Sequence, residues 1–565
     1  MVAFLAAVAI GWLGFDSGLF SAWWAAVPVA GFVALVVTHE RIIGERVHAE
    51  RAAAFYAQGL TRIEDRWMGT GNRGEAFLDA KHPYAADLDI FGAGSLFERL
   101  CTARTRSGED LLARWLLEPA GVEEIRSRQA AVDELTPRLD LREALALAGE
   151  DVRVGLDIDI LTRWSSAAPL PHLALYRAGA VAVVALVILC AVLWRLGAGA
   201  VPFVVAVVTL AFFARHVRTH VQRIVHAVQH PSRDLGVFAA LLCLLEAQRF
   251  AAPKLKSLRA RLDTDGEAAS QRSARLRRLV HLLDAMKNQL FAPLGVLILW
   301  ETHLALAIEA WRVRYGAAVG EWLRAVSEIE ALCALATFAY ENPDAVFPSF
   351  SEGDPCFDAE ALGHPLLSAA ACIRNDVRLG AGRDGTQPRA LVVSGSNMSG
   401  KSTLLRAVGI NAVLAFAGAP VRARRLHLSP LNVGASIRTL DSLQEGTSRF
   451  YAEIKRIRQL MDLAKGPPPL LFLLDEVLHG TNSHDRGIGA EAVVRGFLER
   501  GAIGLVTTHD LALARVADSL APITANVHFE DHLEHGEMRF DYKMHAGVVT
   551  HSNALALMRA VGLEV

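Results

Sequence analysis

The sequence has 565 residues, of which 52% are hydrophobic, and a formal net charge of -2. A chain of this length is expected to form two or three domains, and so apolar a composition predicts that part of it lies in lipid. The near-zero charge excludes a global basic field, so any contact with nucleic acid must use a local patch. The six cysteines form no Cys-x-x-Cys pair, which favours reduced thiols over disulfides or a zinc site.

Two apolar zones predict membrane insertion. The first covers residues 2–38 with a turn-like break at residues 14–18, and the second covers residues 178–214 with a break near Arg195. At about 20 residues per crossing, they give four hydrophobic segments in two helical hairpins, although the first segment is short for a full crossing. A fully buried core hairpin remains the alternative for residues 178–214.

Charge placement predicts the orientation of these hairpins. Arginines flank the hairpin bases: Arg41, Arg46, Arg177, Arg215 and Arg218. By the positive-inside tendency, the soluble segments then face the cytoplasm. The sequence therefore predicts a multi-pass protein of the inner (cytoplasmic) membrane.

The remaining chain changes character at residues 351–355, where a Ser-Glu-Gly-Asp-Pro turn marks a boundary. Before it, residues 41–177 and 215–350 are helical in pattern. After it, apolar runs of strand length at residues 390–393, 470–474 and 503–507 alternate with helical stretches, which indicates a parallel sheet covered by helices. The predicted fold class is mixed: an α-helical part with transmembrane hairpins (residues 1–40 and 178–214), then a C-terminal α/β domain over residues 351–565.

Residues 395–403 read Gly-Ser-Asn-Met-Ser-Gly-Lys-Ser-Thr and match the P-loop pattern G-x-x-x-x-G-K-[ST]. They follow a predicted strand and precede a predicted helix, which is the context that the motif needs. Backbone N–H groups at such a helix N-terminus bind phosphates, while Lys401 would reach the β- and γ-phosphates and Ser402 would ligate Mg²⁺. The predicted ATP-binding residues here are Gly395, Asn397, Gly400, Lys401, Ser402 and Thr403.

A buried strand at residues 470–474 ends in Asp475 and Glu476, which is the Walker B arrangement. Asp475 would hold the Mg²⁺ ion, and Glu476 would polarise the attacking water. A third strand ends before His509, which would contact the γ-phosphate or the water. The predicted catalytic residues are Glu476, His509 and Lys401, and the predicted metal ligands are Ser402 and Asp475.

The ATPase region resembles that of MutS proteins. The resemblance is carried by Asn397-Met398 in the P-loop, Ser-Arg-Phe-Tyr-Ala-Glu at residues 448–453, Asp475-Glu476, Gly480-Thr481 and Thr508-His509. The loop departs from the usual G-P-N-M-[GA]-G-K-S-T at Ser396 and Ser399. The resemblance implies a homodimer in which Ser448 reaches the ATP of the opposite subunit, and adenine contacts at Ile373 and Asn375.

Upstream, residues 105–132 resemble the MutS core domain and residues 328–339 resemble the end of its lever helices. Residues 41–177 are therefore expected to form the core and residues 215–350 a lever region. The chain starts about where that core would, so we expect no mismatch-reading domain, and we expect no nuclease domain after Val565. Mismatch reading is therefore not expected.

Three functional classes remain open. The first is a membrane-tethered ATPase coupled to DNA, binding phosphates without base specificity through a basic stretch between Lys254 and Arg278. The second is an ATP-driven dimer that acts on a protein or membrane partner without DNA, the basic stretch then being a solvated face near acidic lipid. A transporter-type ATPase is the weakest, since the L-S-G-G-Q signature is missing. His528, His532 and His535 suggest a metal site, but their strand-and-turn context favours a structural role.

Overall fold

The computed structural model describes residues 26–150, 158–229, 232–264, 266–284, 292–382, 385–396, 398–438, 449–478, 483–509, 517–534 and 537–549. The chain divides into two compact units, residues 1–61 and residues 62–565. Among the predicted site residues, Asn397 and Ser448 lie outside the described part of the chain.

The described residues of the first unit, from Ala26 onward, lie in the long helix α1, Ala26–Ile63. The predicted membrane segment at residues 19–38 covers only its start, and residues 19–25 lie outside the described ones. The helix continues past the expected boundary at residue 40, and its polar half carries ion pairs one turn apart, Arg41–Glu45 and Arg46–Glu50, of the kind that add slightly to helix stability.

The second unit begins with a helical part that contains a long central helix, α13, Trp300–Glu341. At 1.5 Å per residue, its 42 residues extend for about 63 Å, and several shorter helices pack along it. These helices are α2 Leu96–Leu100, α3 Arg106–Leu117, α4 Val122–Leu135, α5 Leu139–Glu150, α6 Ile158–Ser166, α7 Leu173–Arg195, α8 Val201–Gln229, α9 Ser232–Glu246, α10 Pro253–Ala260, α11 Ala269–Asp284 and α12 Ala292–Leu297.

A small antiparallel hairpin interrupts the helices of the lever region. Its strands are β1, Asp263–Thr264, and β2, Glu267–Ala268. The helical pattern of residues 215–350 gave no sign of this hairpin, because two-residue strands are too short to show the alternating hydrophobic pattern from which a strand is predicted.

Three helices of the described chain are long and apolar enough to cross a membrane: Ala26–Ile63, Leu173–Arg195 and Val201–Ala227. The predicted count of four spanning segments is therefore not supported, and the first hydrophobic segment, before residue 14, lies outside the described residues. The second hairpin is longer than residues 178–214, since α8 continues for about four turns beyond Ala214. That extension remains helical because Val217 and Val221 are buried in the main core.

The C-terminal part is an α/β structure, as its sequence pattern predicts. Within the described residues, a six-stranded sheet has the order β13-β12-β7-β11-β10-β9, and all its neighbouring strands are parallel except the β12–β13 pair. Its strands are β7 Ala390–Ser394, β9 Asn432–Ser436, β10 Leu470–Leu474, β11 Ile503–Thr508, β12 Thr524–Glu534 and β13 Glu537–Ala546. Helices α14 Lys401–Ala417, α15 Arg449–Leu463 and α16 Ser483–Glu499 accompany it.

A second sheet has the order β3-β8-β4-β5-β6. Its strands are β3 Ser349–Phe350, β4 Cys356–Leu362, β5 Asn375–Gly382, β6 Gly385–Thr386 and β8 Arg425–Leu428. One hydrophobic core runs from Trp67 in the helical part to Phe529 in β12. The helical and α/β parts of the second unit therefore share a core.

Candidate nucleotide-binding site

The loop from Gly395 to Gly400 joins the buried strand β7 to the helix α14. Gly395 and Gly400 have φ angles of 150° and 103°, which L-residues with a Cβ rarely adopt, so glycine is required at both ends of the turn. The helix that follows has no acidic residue in its first turn. Its N-terminal partial positive charge is therefore available to an anion.

Lys401, the first residue of α14, is folded back over this loop. Its side chain is 4% exposed, and Nζ donates to the carbonyl oxygens of Gly395 at 2.8 Å and Ser396 at 2.7 Å. Burial lowers the pKa of the Lys401 ammonium, while the carboxylates of Glu476 and Asp475 act in the opposite direction. The ammonium group thus lies between the loop and the two predicted Walker B carboxylates.

Ser402 and Asp475 are in direct contact although 73 positions separate them. Ser402 Oγ donates to Asp475 Oδ2 at 2.5 Å, and Thr507 Oγ1 donates to the other carboxylate oxygen. These residues meet because β7, β11 and β10 are parallel neighbours, so their carboxyl ends share one edge of the sheet. Two hard oxygen ligands of the kind that Mg²⁺ prefers are therefore adjacent.

Glu476 and His509 form the outer part of the same edge. Glu476 Oε1 lies 3.3 Å from His509 Nδ1. The Glu476 backbone has a positive φ of 47°, and its N–H donates to Thr507 Oγ1 at 3.0 Å. Thr507 thus orients both carboxylate residues, a role that the sequence interpretation missed although Thr507 ends a predicted strand.

The acidic residue of the Ser-Arg-Phe-Tyr-Ala-Glu segment has a backbone contact. Glu453 on α15 is 5% exposed, and its Oε1 accepts a hydrogen bond from Leu478 N at 2.5 Å. Leu478 follows the Walker B carboxylates by two positions and has a φ of 59°. Glu453 therefore helps to fix the turn after β10.

A cavity of about 450 Å³ opens beside Gly400. Its lining includes Ile373 and Asn375, the two predicted adenine contacts, with Thr403 from α14. The Asn375 amide is also used for structure: its Nδ2 donates to Tyr542 O at 3.0 Å, and its Oδ1 accepts from Met544 N at 2.8 Å. Asn375 thus attaches β13 to the cavity wall.

Three further residues line the cavity, and two of them, Tyr542 and Phe529, were not predicted from the sequence. The Tyr542 ring lies against Gly400, so that a Cβ added at Gly400 would be 3.1 Å from Tyr542 Cδ1, and Phe529 also lines the cavity. His364 is the third lining residue, and burial with the nearby Arg406 and Arg422 lowers the pKa of its imidazole to about 4. No local motif marks Tyr542 or Phe529, since the long β12–β13 hairpin brings them there.

A segment of the helical part contacts the region next to this site. The Asp87 carboxylate is buried and accepts hydrogen bonds from Ile437 N at 2.7 Å and Arg438 N at 2.8 Å. It also pairs with Arg456 of α15 at 2.7 Å. Ile437 and Arg438 directly precede the segment that contains Ser448, so Asp87 joins the helical part to the start of that segment.

The basic stretch and the histidine trio have largely structural contacts. Lys254 pairs with Glu124 at 2.8 Å and with Glu328 at 2.5 Å, and Arg275 pairs with Glu267 at 3.1 Å. His528 places its two ring nitrogens 3.0 Å from Gly547 O and 3.1 Å from a Glu530 carboxylate oxygen. His535 and the side chain of His532 lie outside the described residues.

Residues 391–564 match the family model of MutS domain V. Endonuclease MutS2 of Thermus thermophilus is 33% identical over 224 residues, covering 38% of this chain and 27% of that protein. DNA mismatch repair protein MutS 2 of Haloarcula marismortui is 35% identical over 234 residues, covering 37% and 24%, and DNA mismatch repair protein MutS of Natronomonas pharaonis is 31% identical over 258 residues, covering 43% and 28%. The chain thus matches about a quarter of the length of these relatives, and its residues 391–564 belong to the MutS domain V family.

Proposed function

We propose that the chain binds and hydrolyses ATP at the edge of the six-stranded sheet. The observation that carries this proposal is the 2.5 Å hydrogen bond from Ser402 to Asp475, because it brings a P-loop hydroxyl and a Walker B carboxylate to one point. MutS domain V, the family of residues 391–564, is a P-loop ATPase domain.

Each residue of this edge has a distinct role in the proposed reaction. Lys401 would exchange the carbonyls of Gly395 and Ser396 for the β- and γ-phosphate oxygens of ATP. Ser402 and Asp475 would hold Mg²⁺, which supplies charge neutralisation to the phosphates when bound. Glu476 would accept the proton of the attacking water, and His509, 3.3 Å from it, would orient that water or contact the γ-phosphate.

The cavity beside Gly400 is the proposed adenine pocket. It adjoins the N-terminus of α14, where the phosphates would bind, and an apolar wall with Ile373 and an aromatic ring, Tyr542, is typical of a base-binding site. Asn375 would act by fixing β13 and with it the Tyr542 ring, rather than by offering a free amide.

Two variants test this proposal. Glu476→Gln should keep ATP binding and lose most turnover, because a neutral amide cannot accept the proton. Lys401→Ala should weaken binding itself, whereas Lys465→Ala, an exposed lysine paired with Asp462, serves as the matched control and should change neither. Equal turnover of wild type and Glu476→Gln would contradict the assignment.

We also propose a homodimer with composite sites, in which Ser448 of one subunit reaches the ATP of the other. The contact of Asp87 with Ile437 and Arg438 would hold the start of this segment. Mixing Ser448→Ala and Lys401→Ala subunits should restore one working site per heterodimer, although each variant alone is nearly inactive. No recovery in verified heterodimers would show that Ser448 does not act across the interface.

Membrane anchoring is the third part of the proposal: a multi-pass protein of the inner (cytoplasmic) membrane with cytoplasmic catalysis. It rests on the three long apolar helices and on exposed apolar side chains along the α7–α8 hairpin, including Leu189, Val204 and Val208. The protein should remain in the membrane fraction through carbonate extraction and require detergent. Release of intact protein by carbonate alone would contradict spanning helices.

Coupling to DNA is the functional role that the relatives suggest, since two of those named above are DNA mismatch repair proteins. Exposed cations such as Lys256, Arg277 and Arg278 would bind phosphates, with a log–log salt slope of about -0.9 per phosphate. Matched and G·T duplexes should then compete within about 1 kcal/mol. A tenfold preference for the mismatch would contradict binding without base specificity.

A partner other than DNA is the second candidate, favoured by the ion pairs that already neutralise Lys254 and Arg275. These pairs leave fewer cations for a polyanion. If no short duplex is retained at low salt while ATP turnover is intact, the ATPase acts on a protein or on the membrane.

A further inference from the structure

The short helix α12 exposes large apolar side chains outside the two hairpins predicted from the sequence. Val296 is 59% exposed, and Leu294 and Leu297 on the same helix are also exposed. Neighbouring exposed aliphatic side chains are unfavourable in water and usually mark a surface that is covered in the functional state.

Helix α12 lies directly before the long helix α13, whose first turns pack on the α7–α8 hairpin. Leu299 and Leu306 are buried in one cluster with Ala180 of α7 and Leu210 of α8. The cluster is separate from the main core of the second unit. The start of α13 is therefore attached to the hairpin itself.

Contacts at successive levels show which part of the hairpin lies beside α12. The Leu170 N–H, just before α7, donates to Glu309 Oε1 at 2.9 Å. Leu306 and Leu299, three and ten residues nearer the start of the chain than Glu309, are buried with Ala180, which lies in the apolar stretch of α7. Leu299 therefore reaches the level of that apolar stretch.

An aromatic side chain marks the same level. Trp300, the first residue of α13, donates from its indole Nε1 to Leu282 O at 2.9 Å. Tryptophan is enriched where hydrocarbon meets water, because its ring is apolar and its N–H needs a partner. A tryptophan at the start of α13 is therefore the kind of residue expected at a membrane interface.

We propose that α12 is a lipid-facing interfacial helix, with Leu294, Val296 and Leu297 inserted at the edge of the hydrocarbon beside the α7–α8 hairpin. The partner is the bilayer, since α12 lies at the end of α13 that packs on the hairpin, and the hairpin and α12 both expose large apolar side chains. This inference rests on the membrane anchoring proposed above and adds that the start of α13 is held in the membrane surface. Because α13 leads from α12 to the α/β part, this one long helix would connect the bilayer with the ATPase.

The test uses variants with a single accessible cysteine, labelled with the fluorophore NBD in proteoliposomes. The exposed or half-buried thiols Cys101, Cys243 and Cys372 are first replaced by serine, while the buried Cys190, Cys333 and Cys356 are kept. Val296→Cys is the probe, with Leu294→Cys as a second probe on the same helix. Val313→Cys is the matched control, since Val313 is 52% exposed on α13 itself but about 25 Å further from α12 along the helix. Val208→Cys, at an exposed position on α8, shows whether the α7–α8 hairpin itself is inserted in the membrane.

Nitroxide-labelled phospholipids should quench the labels at positions 296 and 294 severalfold more than the label at position 313, and aqueous iodide should do the reverse. The inference is overturned if iodide quenches position 296 while nitroxide lipids quench position 208. Protection of position 296 from both quenchers also overturns it, because a protein surface would then cover α12. If position 208 also escapes the lipid quencher, the proposed membrane anchoring fails together with this inference.

Discussion

The two sides of the candidate nucleotide site are built in different ways. On the phosphate side, Ser402 in the first turn of α14 and Thr507 in β11 both donate hydrogen bonds to the Asp475 carboxylate, which directly follows β10. On the base side, the cavity wall consists mostly of packed side chains, among them Ile373 and Tyr542. The polar network orients charged groups toward the phosphates, whereas the packed wall defines the shape of the pocket for the base. Changes on the phosphate side should therefore lower kcat, and changes on the base side should raise KM for ATP.

The largest effect is expected for Asp475→Asn on the phosphate side. An amide keeps the shape but loses the charge that would hold Mg²⁺, so ATP turnover should fall on the order of 10²-fold or more. The measurement is turnover against Mg²⁺ concentration at saturating ATP. Asp462→Asn is the control, because Asp462 is an exposed carboxylate paired with Lys465.

Turnover within twofold of wild type in Asp475→Asn would remove the distinction between the two sides. A loss of ATP affinity with unchanged turnover would have the same consequence, because the phosphate side would then act only in binding.

His364 on the base side should make stability depend on pH. Its folded-state pKa of about 4 lies below the ordinary value of about 6.5, so the unfolded chain binds more protons between these values. The free energy of unfolding is therefore unaffected by the titration of His364 above about pH 6.5. It decreases as the pH falls toward 4, by up to about 3 kcal/mol.

Thermal unfolding in detergent from pH 7 to pH 4 measures this effect. His364→Gln, which keeps an acceptor for the Leu366 N–H, should melt closer to wild type as the pH falls, since the variant lacks the titrating group. A constant difference between the two proteins across this range would show that His364 titrates normally.

The phosphate side could be predicted from sequence because its residues stand in short motifs beside apolar strands. Lys401, Ser402, Asp475 and Glu476 each follow or begin an element whose pattern is visible locally. The position of Thr507 at the end of a strand was predicted, but its hydrogen bonds to the two acidic residues were not, because a threonine at a strand end has no distinctive sequence signal. The site assignment itself remains a prediction.

The base side depended on long-range pairing. Ile373 and Asn375 came from family resemblance, and the contacts of the Asn375 amide with β13 could not be inferred from residues 375 and 542 separately. Similarly, hydropathy predicted the apolar helices α7 and α8, but α12 is too short to form a recognisable apolar run of its own.

Tyr542→Ala should affect the base side alone. Stacking of a base on an aromatic ring contributes about 1–3 kcal/mol, so ATP affinity should fall roughly tenfold or more, while turnover at saturating ATP stays near wild type. Tyr542→Phe keeps the ring and is the control. If Tyr542→Ala lowers saturated turnover instead, the ring positions the Gly400 loop rather than the base.

The smallest effect is expected for Ile373→Ala. Ile373 lines the cavity but is 41% exposed, so ATP would remove only part of its surface from water. A buried methylene contributes about 0.8 kcal/mol. If the substitution removes contact between the base and about one methylene group, KM for ATP should rise roughly fourfold while kcat is unchanged. Ile488→Ala, at an exposed isoleucine on α16, is the matched control and should leave both constants unchanged.

An effect of Ile373→Ala larger than that of Tyr542→Ala would mean that apolar contact, and not stacking, dominates base binding. The adenine would then lie against the wall between β4 and β5 rather than against β13.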